Sequence, residues 1–245
     1  MPLYQINKKK TLNKTTLAIF LALFSWIPCQ AQENKFQLGF GVFPNFSIGL
    51  VTNDSGTPSD VETAYQGIET WKPSLSSNVF VEYKLNKNSI FGFGMGYLNN
   101  GDRTQQIDLF SGIDPITGNP IIDPSLPTQA RFVYNHHNLE IPLYYKRMLG
   151  DKFFVLIGTS SIINISNSKT SILYFTDDSK EKNTEEDNST EFRRFNFSGN
   201  IGFGLDYLNT DKLSLFVLPY IQYGFLGVSK TASLNLNFLA IGIST

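Results

Sequence analysis

Cysteine, histidine, tryptophan and methionine are scarce in this 245-residue chain, which has one, two, two and three of them. The lone cysteine, Cys29, sits in an apolar leader. A chain cut after that leader has no thiol, which excludes disulfide frameworks, thiolate catalysis and cysteine-based metal centres. Charge is also low, at 17% of residues against about 25% in ordinary soluble domains. Beyond residue 31 no stretch approaches about 18 consecutive apolar residues, so no helical span is expected.

The amino end does contain Lys8, Lys9, Lys10 and Lys14, then an apolar run from Leu17 to Ile27, then Pro28-Cys29-Gln30-Ala31. A basic head, a short apolar core and a small residue before the scissile bond predict a signal peptide over 1–31, cut after Ala31. Lipoprotein processing at Cys29 fits poorly, because Trp26 and Pro28 stand where Leu and a small residue are required. Removing 31 of 245 residues leaves 214 in one domain, 32–245. The segment takes four lysines and no acid with it, so 16 basic side chains remain against 21 acidic ones, a net charge of −5. That balance argues against a nucleic-acid partner.

Phe, Tyr and Gly are abundant instead, and they alternate. In Asn138–Lys146, Leu139, Ile141, Leu143 and Tyr145 share one face, while Asn138, Glu140, Tyr144 and Lys146 share the other with Pro142. Side chains alternate across a strand with period two, so this strand requires an apolar medium on one side and a polar one on the other. A transmembrane β-barrel supplies both. The pattern recurs in Phe36–Val51, in Ser74–Leu85 with Phe80 as an exception on the polar face, and in Ser89–Leu98. It continues in about 131–147, in Lys152–Ser166 with ambiguous parity, and in Phe192–Leu208, Leu213–Phe225 and Leu234–Thr245. The Gly92-x-Gly94-x-Gly96 run has neither the spacing nor the following helix of a nucleotide loop. Its glycines read as small residues facing a crowded lumen.

Connections after the first, third and fifth segments are long, and those after the second, fourth and sixth are three or four residues. Eight strands with this rhythm predict an all-β fold: an eight-stranded antiparallel transmembrane β-barrel, an up-and-down meander with short periplasmic turns. The charge-rich stretch Asp177–Glu191 reads as a solvated, mobile loop rather than a calcium site.

Leu139-Glu140-Ile141-Pro142-Leu143-Tyr144-Tyr145-Lys146, with the Gly202–Tyr207 strand and with Pro219-Tyr220 and Tyr223-Gly224, resembles the Bacteroidetes-type outer-membrane β-barrel domain. That group includes PorT-like and OmpA-type small barrels. The resemblance covers nearly all of 32–245, and its motifs are architectural. It implies an outer-membrane location, contacts with lipid and with the barrel-insertion machinery, and no cofactor. It also implies a terminal aromatic; Ile243-Ser244-Thr245 stands there, which means either a weaker insertion signal or Phe238 serving from an internal position.

The inward faces collect Glu82, Lys84, Glu140, Lys146, Arg194 and Asp206. Charges in a narrow lumen must pair or stay hydrated, and Glu140 is expected to pair with Arg194 or a lumen lysine. His136 and His137 adjoin each other, so on a regular strand they face opposite ways and cannot share a metal. Trp71, Tyr97, Tyr134, Tyr174 and Tyr207 suit interfacial girdles. The expected role is non-catalytic, structural or interaction-based, with external loops for a protein partner. A secretion-accessory role and a barrel-embedded lipid-modifying hydrolase are the alternatives, and a soluble carrier would need the reverse polarity.

Overall fold

The computed structural model describes residues 35–53, 67–109, 125–187, 192–209, 214–229 and 234–245, with Thr63, Gly112 and Asp123 standing singly. The expected signal segment, 1–31, lies outside the described residues. The described residues form twelve strands in chain order: β1 (Phe36–Asn53), β2 (Glu69–Thr70), β3 (Lys72–Asn86), β4 (Ser89–Asn100), β5 (Arg103–Thr104), β6 (Ile107–Asp108), β7 (Gln129–Leu149), β8 (Phe153–Tyr174), β9 (Lys180–Glu186), β10 (Phe195–Asn209), β11 (Ser214–Gly224) and β12 (Leu234–Ser244).

Eight of them form a ring. β1 pairs with β3, and the pairing passes antiparallel through β4, β7, β8, β10, β11 and β12. β12 then pairs back onto β1 from Asn45↔Gly242 to Asn53↔Leu234. Two further bonds between Val42 and Thr245, each 3.2 Å, extend that seam. In lipid no water satisfies a free strand edge, so closure is what allows these sequences to span.

Alternation decides which side chains meet lipid. Phe40, Val81, Phe93, Leu143, Ile157, Ile201, Val217 and Ile241 point out and are exposed, while Glu82, Asn138, Ser160, Ser198 and Gln222 point in and are buried. The parity of β8 is settled by Phe154, buried inside, against Phe153 and Ile157 outside. The inward glycines fit the crowding that the sequence suggested. A Cβ on Gly39 would run into the Phe80 ring, one on Gly92 into Tyr144, and one on Gly204 into Phe154. Each glycine therefore makes room for an aromatic ring that fills the lumen. Phe238 is one of these inward rings, packed over Gly224, so it is not a lipid-facing substitute for a terminal aromatic.

Several expectations need correction. β7 and β8, of 21 and 22 residues, are about twice the 9–11 residues a tilted strand needs to cross a bilayer. Their outer halves stay paired from Gln129↔Tyr174 inward, and the stretch read as a mobile loop supplies β9, all seven residues exposed, which forms a hairpin with β8 from Ser168↔Glu186 to Tyr174↔Lys180. Cross-strand pairing outweighs the charge run because every charged side chain there still reaches water. Tyr134 and Tyr174 lie on this extension, with lysine ammonium groups over their rings: Lys169 at 5.7 Å and Lys180 at 5.3 Å. The sixth barrel strand starts at Phe195, not Phe192, which makes an isolated bridge with Ser229.

Gly204→Val should lower stability by about 1–3 kcal/mol, because overpacking must displace the Phe154 ring. Gly67→Ala, where nothing lies within 4 Å of the added Cβ, should leave it unchanged. Urea unfolding midpoints of the refolded barrel check both.

Candidate functional site

The lumen is filled in layers, and the lowest is charged. Lys146 on β7 and Asp206 on β10 meet at 3.3 Å with side chains 5% and 3% exposed, the single ion pair among the described residues. The Lys146 ammonium also sits 4.0 Å from the centre of the Phe154 ring and 5.2 Å from that of Phe216. Beside it, the Tyr144 hydroxyl donates to Glu82 at 3.0 Å. Phe80 packs edge-on to Tyr144, with centroids 6.4 Å apart, and lies 6.1 Å from Phe216. Burying a carboxylate is costly unless it is bonded, and Glu82 and Asp206 each have a partner.

Above these rings lies a cavity of about 80 Å³, lined by Phe43, Phe80, Tyr144, Phe216, Tyr220 and Glu140 among others. Glu140 does not pair with a cation. Gln222 Nε2 donates to its carboxylate at 2.6 Å and to Ser198 Oγ at 2.9 Å, and the Ser160 hydroxyl is a further donor to Glu140. Arg194, the expected partner, is exposed in a bend before β10, because the strand begins one residue later and carries it beyond the ring. Lys84 is half-buried beside the β3–β4 turn, across from Ile90. Of the six predicted lumen charges, the structure brings Lys146 and Asp206 into contact. It places Glu82 beside Tyr144, Glu140 beside Gln222, and Arg194 outside.

The next layer is amide. Asn138 donates to Asn100 at 3.0 Å, Asn164 donates to Asn138 and to Asn167 at 3.0 Å each, and Asn167 donates back to Asn164 at 2.9 Å. His136 Nδ1 joins Asn167 Oδ1 at 2.7 Å. A bulge in β8 makes this possible: the register passes from His137↔Ser166 to Asn138↔Asn164 and leaves Ile165 unpaired. Asn164 and Asn167 therefore both reach the interior, and Ile165 is pushed outward to 65% exposure. His137 faces the other way and bonds the Tyr97 hydroxyl at the outer rim. Among the described residues no three metal-ligating side chains gather.

The described parts of the first two long connections fold onto one mouth of the ring. The Tyr134 backbone N–H donates to Asp102 O at 2.9 Å, and Ser47 Oγ donates to Gly101 O at 2.7 Å. Gly101, at φ 140°, presses so close to the Tyr134 carbonyl that a Cβ would collide with it. β5 pairs with both β2 and β7. Buried Lys72 spends its donors on Ser74 Oγ at 2.8 Å, Asn99 Oδ1 at 3.1 Å and Asn100 O at 3.3 Å. Desolvation, then the nearby Asp102 charge, pushes the Glu69 carboxyl up to about 8. Desolvation raises Asp102 to about 6 against the pull of Lys72.

A closed eight-stranded antiparallel ring, apolar outside and hydrogen-bonded inside, is a transmembrane β-barrel of the outer-membrane class. The chain belongs to the family described as outer membrane protein beta-barrel domain, which it matches over residues 30–231. Among solved structures it is similar to Neisserial surface protein A at 9% identity, covering 85% of this chain and 96% of that one with a TM-score of 0.38. It is also similar to Ail, the attachment invasion locus protein of Yersinia pestis, at 9% identity, 84% and 95% coverage and a TM-score of 0.31. No curated protein sequence matches it.

Lys146→Met should cost about 3–5 kcal/mol, because it strands the Asp206 carboxylate without a partner. Lys146→Met with Asp206→Leu should recover most of that loss. Glu140→Gln, which removes a charge that has no cationic partner, should cost less than about 1 kcal/mol, since Gln222 and Ser160 keep an acceptor. Chemical denaturation of the four proteins side by side reads all three.

Proposed function

We propose that this protein is an exported, plugged barrel whose membrane-embedded part anchors an external sheet and loops that contact a partner, without catalysing a reaction. The observation that carries this reading is the outer half of β7 and β8 with β9, which builds a structured surface beyond the girdle level of Tyr97 and His137. The lumen supports it: rings, a buried ion pair and an amide network fill the path that a channel would need. His136 and His137 are occupied by Asn167 and Tyr97 on opposite faces, so the hydrolase alternative gains no geometric support. The Leu139–Lys146 stretch and its resemblance to PorT-like barrels favour secretion as the setting in which a partner would be found, with export through a leader over 1–31.

In planar bilayers the purified barrel should give no stable stepwise conductance, and trypsin added to whole cells should cut at Lys180 or Lys182 while the barrel stays intact. Steady single-channel openings would contradict the plugged lumen. Resistance of β9 on cells, combined with cleavage in spheroplasts, would place the extension on the wrong side.

A further inference from the structure

The outer mouth holds two carboxylates that nothing in the described structure neutralises by contact. Glu69 comes from the first external connection and Asp102 from the second. The pairing Glu69↔Thr104 and Thr70↔Arg103 sets Glu69 opposite Thr104, two residues along from Asp102, which directly precedes β5 and is held to β7 by the Tyr134 N–H on its carbonyl. Where the chain runs on extended from β5, Asp102 takes the place of a diagonal neighbour of Glu69, a relation that sets Cβ atoms about 7–8 Å apart or less, within the span of one shared ion. Asp102 is 5% exposed. Among the described residues its carboxylate accepts no hydrogen bond and makes no ion pair. Glu69 Oε2 is enclosed without a partner, against the backbone of Gly49 on β1. Lys72 is the nearby cation, but its three N–H donors are taken by Ser74, Asn99 and the Asn100 carbonyl. Lys72 sends one positive charge toward Asp102 without touching it, so a half-buried and a buried carboxylate that repel each other still leave one negative charge, which a proton or a counter-ion satisfies.

We propose that Glu69 and Asp102 are the anionic ligands of a calcium-type divalent cation site at the outer mouth of the barrel. Calcium takes six to eight oxygen ligands and accepts carboxylates in one- or two-oxygen mode. Two carboxylates thus supply up to four ligands, and water completes the shell. No thiolate or imidazole joins them among the described residues, so a hard cation suits the donor set better than zinc. Bound there, the ion ties the first external connection to the second, and through Gly49 and Gly101 to the barrel wall.

Trp71, two residues from Glu69, makes the site testable with terbium, an oxygen-seeking stand-in for calcium. The full barrel, refolded in detergent and freed of metal with a chelator, is titrated with terbium while tryptophan is excited, and its thermal unfolding is followed with and without calcium. The account predicts saturable sensitised emission that calcium competes away, and a higher unfolding temperature with calcium, as mass action on the folded state requires. Glu69→Gln with Asp102→Asn should weaken terbium binding at least tenfold and abolish the calcium shift. Glu181→Gln, on exposed β9, should change neither. Should the double variant fail to fold, Asp102→Asn alone serves in its place. Emission that never saturates, or that is equal in the double variant, would overturn the proposal. An unfolding temperature indifferent to calcium in the unaltered protein would also overturn it.

Discussion

Everything in this structure depends on the seam between β1 and β12. A transmembrane strand cannot leave its N–H and C=O groups bare in hydrocarbon, so the ring is stable only when the first and last barrel strands find each other across nearly 200 residues of chain. Once the ring is closed, its circumference is fixed at eight strands. An eight-stranded barrel is just wide enough to be filled by its own side chains. The narrow lumen, the glycines opposite rings and the layered polar plug are consequences of that one closure.

Within the ring, the backbone and the plug constrain each other. Pro142 carries no N–H, and the β4–β7 ladder is interrupted there, passing from Phe93↔Leu143 to Gly96↔Glu140. Gly94 faces the gap, where an added Cβ would come within 3.2 Å of the Pro142 ring. The sequence Glu-Ile-Pro thus loosens one ladder locally, two residues from the carboxylate that Gln222 holds. The bulge at Ile165 does similar work higher up, turning a two-residue alternation into a step of three so that Asn164 and Asn167 enter the same amide network. Polar groups in the interior are strong when fully bonded and costly when not, and the bulge supplies the positions that the amide network needs.

The barrel itself was legible because period-two alternation is a direct record of the two solvents. Val79 and Val81 against Glu82, or Ile201 and Phe203 against Asp206, allowed few other folds. The glycine faces were legible for the same reason. Arg194 was misplaced because parity says which face a residue would take, not where the strand starts. The Glu140 partner is not legible in the sequence, because Gln222, Ser160 and the asparagines carry no charge and alternation does not distinguish one inward hydrogen-bonding side chain from another. Asn164 and Asn167 share the interior only through a bulge, which alternation cannot foresee. The β9 strand was hidden by its composition, since seven exposed polar residues look the same in a loop and on a solvated edge.

The central claim is that the chain is a closed barrel with lipid outside and a bonded interior. The most direct measurement is the electrophoretic mobility of the outer-membrane fraction, with and without boiling. A closed ring resists detergent until it is heated, so the account predicts a compact, fast-running band that shifts to the unfolded position after boiling. A single heat-independent band, with the protein recovered in the soluble periplasm, would contradict the closed ring and the outward-facing apolar surface together.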